Sequence, residues 1–340
     1  MFDIITIGSV TFDNFLEIDA QKMFWDKVPS KKALIFPFGE KIEVLNMIQT
    51  VGGNSANASV TFARQGFKTA CAAKIGKDLY GEFILKTLKN EKVNTKFIVL
   101  DLKLKTAYST LLLSEGERTI LGYHGASNYF NLKDLQLSDM KSRWWYVSLA
   151  GESYKIFNQL LDFAYKNDIA FAFNPSGYHL KNGRENILKN LSKISVLLLN
   201  EEEASFLAGI SWKNEKEVFK KLDKLMPGIL VVTRGNKGVV VSDGNYIYRA
   251  GVFSEKKLID RTGAGDAFGS GFVASLLHNK INLKDLNNIK PEYILEAIKL
   301  ASANATSVVE YIGAQTGILT FSDYKKQGRF KQLDIKLEKI

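Results

Sequence analysis

Short apolar runs alternate with amphipathic segments along most of this 340-residue chain. The amphipathic segments carry helical periodicity, as in residues 79 to 90 and 291 to 309. Four of the apolar runs are typical of strands buried on both faces: Phe2 to Gly8, Ala70 to Ile75, Trp144 to Leu149 and Ile229 to Thr233. This alternation predicts parallel βαβ units, and hence an α/β fold with a mostly parallel sheet and helices on both faces.

Two stretches depart from this alternation. Residues 10–51 and 98–123 are rich in aromatic and β-branched residues without helical periodicity, and Ser114 to Glu117 indicates a hairpin turn. We interpret both stretches as one small β-sheet lid whose closure over a substrate would exclude water. The predicted domains are an α/β domain at 1–9, 52–97 and 124–322, the lid at 10–51 and 98–123, and a basic C-terminal tail at 323–340.

Composition narrows the class of protein. Hydrophobic residues make up 46% and charged residues 24%, as in ordinary globular proteins. The single cysteine, Cys71, excludes an internal disulfide and a multi-cysteine zinc site and favours a reducing cytoplasm. No basic leader and no apolar run of about 18 residues is present, so we expect an unprocessed protein outside the membrane. The net charge of +10 comes from dispersed lysines, which disfavours nucleic acid as a partner.

The candidate chemistry is concentrated between Asp260 and Phe272. Gly263 and Gly265 form a Gly-Ala-Gly turn before an apolar helical segment, where free backbone N–H groups and the helix dipole favour an anion. Asp266 follows directly, and a carboxylate beside a phosphate is suited to accept the proton of a hydroxyl group. We expect the helix dipole to lower the pKa of Asp266. The alternative is a helix whose first residues serve only as caps.

A second string opens the helix after residue 52. Gly52 and Gly53 precede Asn54 and Asn57, which stand about one helical turn apart and could present amides to sugar hydroxyls. Ordinary helix capping is again the alternative.

Both strings resemble signatures of the ribokinase-like (PfkB) family of carbohydrate and nucleoside kinases. Residues 52–57 match Gly-Gly-x-x-x-Asn, and residues 260–268 match Asp-Thr-x-Gly-Ala-Gly-Asp-x-Phe, with Arg261 where the family usually has a small residue. The resemblance extends over about residues 1–320. It implies a three-layer Rossmann-like fold with a small β-sheet lid.

The resemblance also implies roles for individual residues. The general base would be Asp266, assisted by the main chain of Gly263, Ala264 and Gly265. The predicted substrate residues are Asp13, Gly53, Asn57 and Glu152, with Asn174 as a further strand-end candidate. The predicted nucleotide residues are Asn200, Glu203, Thr233, Gly235, Gly238 and Asn304. Glu152 and Asn174 are included because each follows a predicted strand.

The implied cofactors are ATP and Mg²⁺, with K⁺ as a further candidate. Asn200 and Glu203 would act on Mg²⁺ through water, although an acidic helix start is the alternative. Asp260, with the main chain near Thr262 and Gly313-Ala314, would be the monovalent-cation region. Arg118 in the lid could meet substrate or phosphate, although exposed arginines are commonly solvated.

The predicted activity is transfer of the γ-phosphoryl group of ATP to a hydroxyl of a small carbohydrate such as ribose, fructose or 2-keto-3-deoxygluconate. A nucleoside kinase acting on adenosine or cytidine is the alternative, and a non-catalytic sugar or nucleotide sensor is a third. Gly-x4-Gly-Lys-Ser/Thr and Gly-x-Ser-x-Gly strings are absent. Because an exposed lid sheet would leave open edges and an apolar face, we expect a homodimer formed through the lid.

Overall fold

The computed structural model describes residues 1–18, 24–28, 31–36, 38–114, 117–282, 286 and 288–340. Ten of its strands form one sheet in the order β16-β15-β14-β13-β12-β11-β10-β1-β6-β7. With strands numbered along the chain, they are β1 (Phe2–Gly8), β6 (Thr69–Gly76), β7 (Asn94–Asp101), β10 (Ser142–Ser148), β11 (Ala170–Phe173), β12 (Val196–Asn200), β13 (Ile229–Thr233), β14 (Val239–Ser242), β15 (Tyr246–Ala250) and β16 (Ile335–Lys339).

The pairing is parallel from β7 through β13 and antiparallel from β13 to β16. The parallel strands β1, β6 and β10 are buried on both faces, which explains their continuous apolar runs. This arrangement confirms the predicted mostly parallel sheet.

Helices cover both faces of the large sheet. In chain order they are α1 (Asn54–Arg64), α2 (Leu79–Asn90), α3 (Phe157–Lys166), α4 (Gly177–Asn190), α5 (Glu201–Ala208), α6 (Glu215–Asp223), α7 (Ala264–His278), α8 (Pro291–Val308) and α9 (Phe321–Lys326). Helices α3 to α6 pack in one apolar cluster, while α1, α7 and α8 pack in another. The sheet lies between these clusters, so the three-layer prediction is also confirmed. No described helix is long and apolar enough to span a bilayer.

A separate four-stranded sheet has the order β5-β2-β8-β9 and corresponds to the predicted lid. Its strands are β2 (Thr11–Ile18), β5 (Val44–Gly52), β8 (Tyr108–Ser114) and β9 (Glu117–Tyr123). The strands β3 (Phe24–Val28) and β4 (Lys31–Ile35) pair as an antiparallel hairpin. Residues 115 and 116, in the predicted turn, lie outside the described part of the chain.

Two predicted boundaries differ from the structure. Strand β7 continues to Asp101 within the large sheet, so the second lid segment begins later than residue 98. The predicted basic tail is not separate, because β16 pairs with β15 along its whole length and Phe330 is buried. Lys336 and Lys339 lie on this edge strand, where charge opposes pairing with another sheet.

Candidate active site

The first turn of α7 is built around a glycine in the left-handed region. Gly263 has φ +78°, and a Cβ there would lie 2.3 Å from the Cβ of Ala314. Only glycine fits this N-cap without displacing the facing loop. The backbone N–H groups of Gly265 and Asp266 have no acceptor among the described residues. The helix therefore begins with two free donors at its positive end, as an anion site requires.

The Asp266 side chain, in the same turn, is buried. Its Oδ2 accepts a 2.9 Å hydrogen bond from Asn57 Nδ2 on α1. Burial raises the pKa of Asp266 to about 6; the hydrogen bond from Asn57 opposes that shift, and the Asp13 carboxylate adds to it. The prediction that the helix dipole lowers this pKa is therefore wrong, because loss of hydration outweighs the dipole here.

Asp13 reaches the same region from the lid strand β2. Its Oδ1 accepts a 2.9 Å hydrogen bond from Thr11 Oγ1, and burial raises its pKa. A Cβ at Gly52 would lie only 1.8 Å from Asp13 Oδ2, so this glycine is what allows the carboxylate to sit against the start of α1. Gly53 has φ +90° and packs on the main chain of Ser9. The signature glycines thus bring β2, α1 and α7 together.

A cavity of about 300 Å³ lies beside the first turn of α7. Three predicted nucleotide residues, Thr233, Gly235 and Gly238, line it together with Ala264 and Gly265. Its apolar wall is formed by Val252, Phe253, Leu258, Phe268, Ala305 and Val309. A Cβ at Gly265 would meet nothing within 4 Å, so this glycine leaves its part of the cavity open. An apolar slot ending at a helix N-terminus suits a flat base joined to phosphates.

Asn200 and Glu203 form a reciprocal capping box at the start of α5. Glu203 N donates to Asn200 Oδ1 at 2.8 Å, and Asn200 N donates to Glu203 Oε2 at 2.9 Å. Capping thus occupies one oxygen of each side chain. Burial raises the pKa of Glu203. The side chains of Asn200 and Glu203 fit Mg²⁺ held through water. In the described ranges, no group of three or more His, Cys, Asp or Glu side chains could hold a metal ion directly.

Asp260 is buried behind the Gly-Ala-Gly turn and is surrounded by donors. Its Oδ1 accepts from Thr262 N and Oγ1 at 2.9 and 2.7 Å, and its Oδ2 accepts from Gly313 N at 3.1 Å. The Arg118 guanidinium lies 3.8 Å from Asp260 Oδ1. A lid arginine therefore supplies positive charge beside the carboxylate for which a monovalent cation was predicted.

Three other predicted residues make contacts with neighbouring parts of the protein. Asn304 is fully buried: its Nδ2 donates to Ala267 O at 2.9 Å and its Oδ1 accepts from Leu319 N at 2.9 Å. It does not line the cavity, and its contacts join α8 to α7 and to the loop before α9. The Glu152 carboxylate pairs with Lys155 and Tyr178, and Asn174 Nδ2 donates to Tyr146 at 3.4 Å.

Three residues near the site have no counterpart in the sequence-based predictions. Gln315 Nε2 donates to Asn57 Oδ1 at 3.1 Å. The Asp266 carboxylate contributes to raising the pKa of the fully buried Tyr146, after burial itself. Ser109 on β8 lies opposite Asp13 in the lid sheet. Their neighbours in sequence carry no motif, since Tyr146 lies in an apolar run and Gln315 in a loop. The only available signal was the position of Gln315 directly after Gly313-Ala314.

Comparison with known proteins shows the family to which this chain belongs. Residues 21–320 match the model described as pfkB family carbohydrate kinase. The chain belongs to this family. The ATP-dependent 6-phosphofructokinase of Thermoanaerobacterium thermosaccharolyticum is 24% identical over 87% of this chain and 90% of its own length. The ribokinase of Bacillus subtilis is 27% identical over 82% of this chain and 88% of its own length.

The fold also agrees with that of a solved structure. The nucleoside kinase of Methanocaldococcus jannaschii, described as an archaeal member of the ribokinase family, superposes with a TM-score of 0.73 at 18% identity. The match covers 96% of this chain and 98% of that one. Family membership confirms the predicted family, and with it the class of enzyme, a phosphotransferase with an alcohol group as acceptor.

Proposed function

We propose that this pfkB-family protein transfers the γ-phosphoryl group of ATP to a hydroxyl group of a small carbohydrate. The observation that carries the proposal is the position of the α7 first turn. Gly265 lines the cavity, while the carboxylate of the next residue, Asp266, contacts Asn57 and lies near Asp13. A phosphate donor and a hydroxyl acceptor would thus meet at two free backbone donors.

In the proposed reaction the oxygen of the acceptor hydroxyl attacks the γ-phosphorus of ATP while Asp266 accepts the hydroxyl proton. The bond from that phosphorus to the β–γ bridging oxygen breaks, and ADP leaves. The N–H groups of Gly265 and Asp266, with the main chain of Gly263 and Ala264, would stabilise negative charge on the transferred group. Asp13 would accept hydrogen bonds from adjacent hydroxyls and orient the acceptor, alongside Gly53 and Asn57. Glu152 stays a prediction for the substrate side, since its carboxylate pairs with Lys155 and Tyr178.

ATP is the proposed donor, with Thr233, Gly235 and Gly238 in the cavity wall. Mg²⁺ would be held through water by Asn200 and Glu203, and when bound it neutralises phosphate charge. K⁺ beside Asp260 stays a prediction, and Arg118 is an alternative source of positive charge there. The cytoplasmic location and the other domain boundaries also stay predictions.

The acceptor is proposed to be a sugar because the curated relatives reported above are named for sugar substrates. Adenosine or cytidine remains the second candidate, since a solved neighbour with the same fold is a nucleoside kinase. A sensor without catalysis is the least supported reading, because a sensor does not need a buried carboxylate next to free helix N–H donors.

An acceptor panel tests the proposal. The purified protein is incubated with ATP and Mg²⁺ plus ribose, fructose, fructose 6-phosphate, 2-keto-3-deoxygluconate, adenosine or cytidine, and ADP formation and thermal shift are measured. We expect acceptor-dependent ADP release with at least one sugar. Turnover with nucleosides alone would establish the second candidate, and thermal stabilisation without turnover by any acceptor would favour the sensor.

A further inference from the structure

A buried chain of three side chains connects the C-terminal loop to Asp266. Gln315 Nε2 donates to Asn57 Oδ1 at 3.1 Å, and Asn57 Nδ2 donates to Asp266 Oδ2 at 2.9 Å. All three residues are less than a tenth exposed. The links join parts of the chain separated by 258 and 209 positions, so only the folded protein forms them.

The direction of these bonds matters because the Asn57 amide has two different ends. With Nδ2 toward Asp266 it donates to an ionised carboxylate, whereas the reversed amide would present an oxygen to that carboxylate. A buried acceptor facing a buried anion disfavours the ionised form. The Gln315 donor selects the favourable orientation, since it occupies the Asn57 oxygen.

Gln315 is itself held firmly. The Arg64 guanidinium donates to the main-chain oxygens of Gln315 and Ile318, each at 2.8 Å, and forms a bidentate pair with Glu91. The same loop carries Ala314, which packs against Gly263. The loop at residues 313–318 therefore contacts both the anion-site turn and the amide next to the carboxylate.

We propose that Gln315 is a positioning residue for phosphoryl transfer, acting through Asn57 to keep Asp266 ionised and correctly aimed. This inference rests on the proposed function of Asp266 as the general base. The charged and titratable groups that face Asp266 are Asp13 from β2 and Tyr146 from β10. Neither is altered in the variants below, so a titration change in Q315M, which adds no charge, reports on the Gln315–Asn57 link.

Two substitutions separate orientation from packing. Gln315→Met keeps the length of the side chain and removes the donor. Gln315→Glu offers only acceptors when ionised and turns the Asn57 Nδ2 away from Asp266. We expect kcat to fall about tenfold in Q315M with little change in either KM. The midpoint of the acid limb of kcat should rise in Q315M and rise further, by about one pH unit, in Q315E.

Gln65→Met is the matched control. Gln65 is also buried, and its Nε2 donates to Leu319 O at 2.8 Å, next to the same loop, with no contact to Asn57. We expect Q65M to lower the melting temperature while leaving the acid limb of kcat unchanged. Equal losses of kcat in Q65M and Q315M with unaltered acid limbs would overturn the proposal and leave Gln315 a structural role.

A second readout does not require catalysis. In protein labelled with ¹³C at aspartate carboxyl carbons, the Asp266 resonance is assigned by its absence in D266N, and its titration midpoint is followed in each variant. We expect the midpoint to be lowest in the wild type and Q65M, higher in Q315M and highest in Q315E. If no acceptor is phosphorylated, the proposed function fails and this order still tests the link. If turnover occurs and the titration midpoints of the wild type, Q65M, Q315M and Q315E coincide, the link alone fails.

Discussion

The Asp266 carboxyl group is placed where ionisation is costly. It is 9% exposed, and burial raises its pKa to about 6, while Asn57 supplies a hydrogen bond that favours the charged form. A base with this pKa is largely ionised at neutral pH and can still take a proton during the reaction. The same burial that tunes the base lowers the stability of the folded protein above pH 6.

Replacing Asp266 with Asn should therefore stabilise the protein while removing activity. The folded-state pKa of about 6 exceeds the ordinary 3.8, so this group's stabilising contribution is complete below pH 4 and is lost as pH rises through 6. At pH 8 we expect the free energy of unfolding of D266N to exceed that of the wild type by about 2–3 kcal/mol. Near pH 3.5 we expect no difference. Chemical denaturation at both pH values measures this difference.

The activity of D266N should fall by about 10²- to 10⁴-fold. Asp223→Asn provides a control, because burial also raises the pKa of Asp223 to about 6, at the distant contact with Ser242. D223N should show the same sign of stabilisation at high pH with unchanged kcat. Wild-type turnover in D266N would contradict the proposed base.

At the scale of single elements, the first turn of α7 combines two glycines with different functions. Gly263 has positive φ and almost touches Ala314, whereas Gly265 has ordinary φ and faces open cavity. The first therefore meets a backbone and packing requirement, and the second leaves space for a ligand. The two glycines are two positions apart, and only their surroundings distinguish them.

Alanine substitutions should separate these functions. G263A must shift the loop at Ala314, so we expect a loss of more than about 1 kcal/mol of unfolding free energy together with lower kcat. G265A should keep its melting temperature, because alanine is well tolerated in a helix. Its methyl group enters the cavity, so KM for ATP should rise. Thermal unfolding and steady-state kinetics on both variants check this, and equal melting temperatures for G263A and wild type would argue against the packing requirement.

At the scale of the whole molecule, the two faces of the lid sheet differ in chemistry. Cross-strand pairing places Asp13, Ser109 and Thr50 on one face, and Arg118 of that face lies beside Asp260 of the large domain. The opposite face carries the exposed side chains Met47, Leu121 and Tyr123, each more than half exposed. An apolar outer face on a small sheet favours association with a second copy.

We propose that this outer lid face forms a homodimer. Light scattering should give twice the chain mass of 38.1 kDa for the wild type and a single-chain mass for Leu121→Asp. Leu102→Asp is the control, since Leu102 is 79% exposed but lies outside the lid sheet. A wild-type mass of one chain would remove the dimer, and dissociation by both variants would point to a different surface.

The sequence by itself determined most elements and the two signatures. Strands β1 and β13 could be predicted within a few residues because strands buried on both faces are continuous apolar runs, and α2 because its buried face repeats with the helical period. The Gly-Ala-Gly-Asp and Gly-Gly strings pointed to the family for the same reason, since their geometry is local. Strand β16 was not predicted, because an exposed edge strand lacks the apolar pattern of the buried ones.

Only the tertiary structure decided how side chains from distant segments meet. The contacts of Asp266 with Asn57, of Asn57 with Gln315 and of Asp260 with Arg118 depend on distances between elements that no local period records. The same applies to the direction of the Asp266 pKa shift, which the helix dipole alone predicted wrongly. Hydration of a carboxylate is lost by burial under other elements, and that burial exists only once β2, α1 and α7 have packed together.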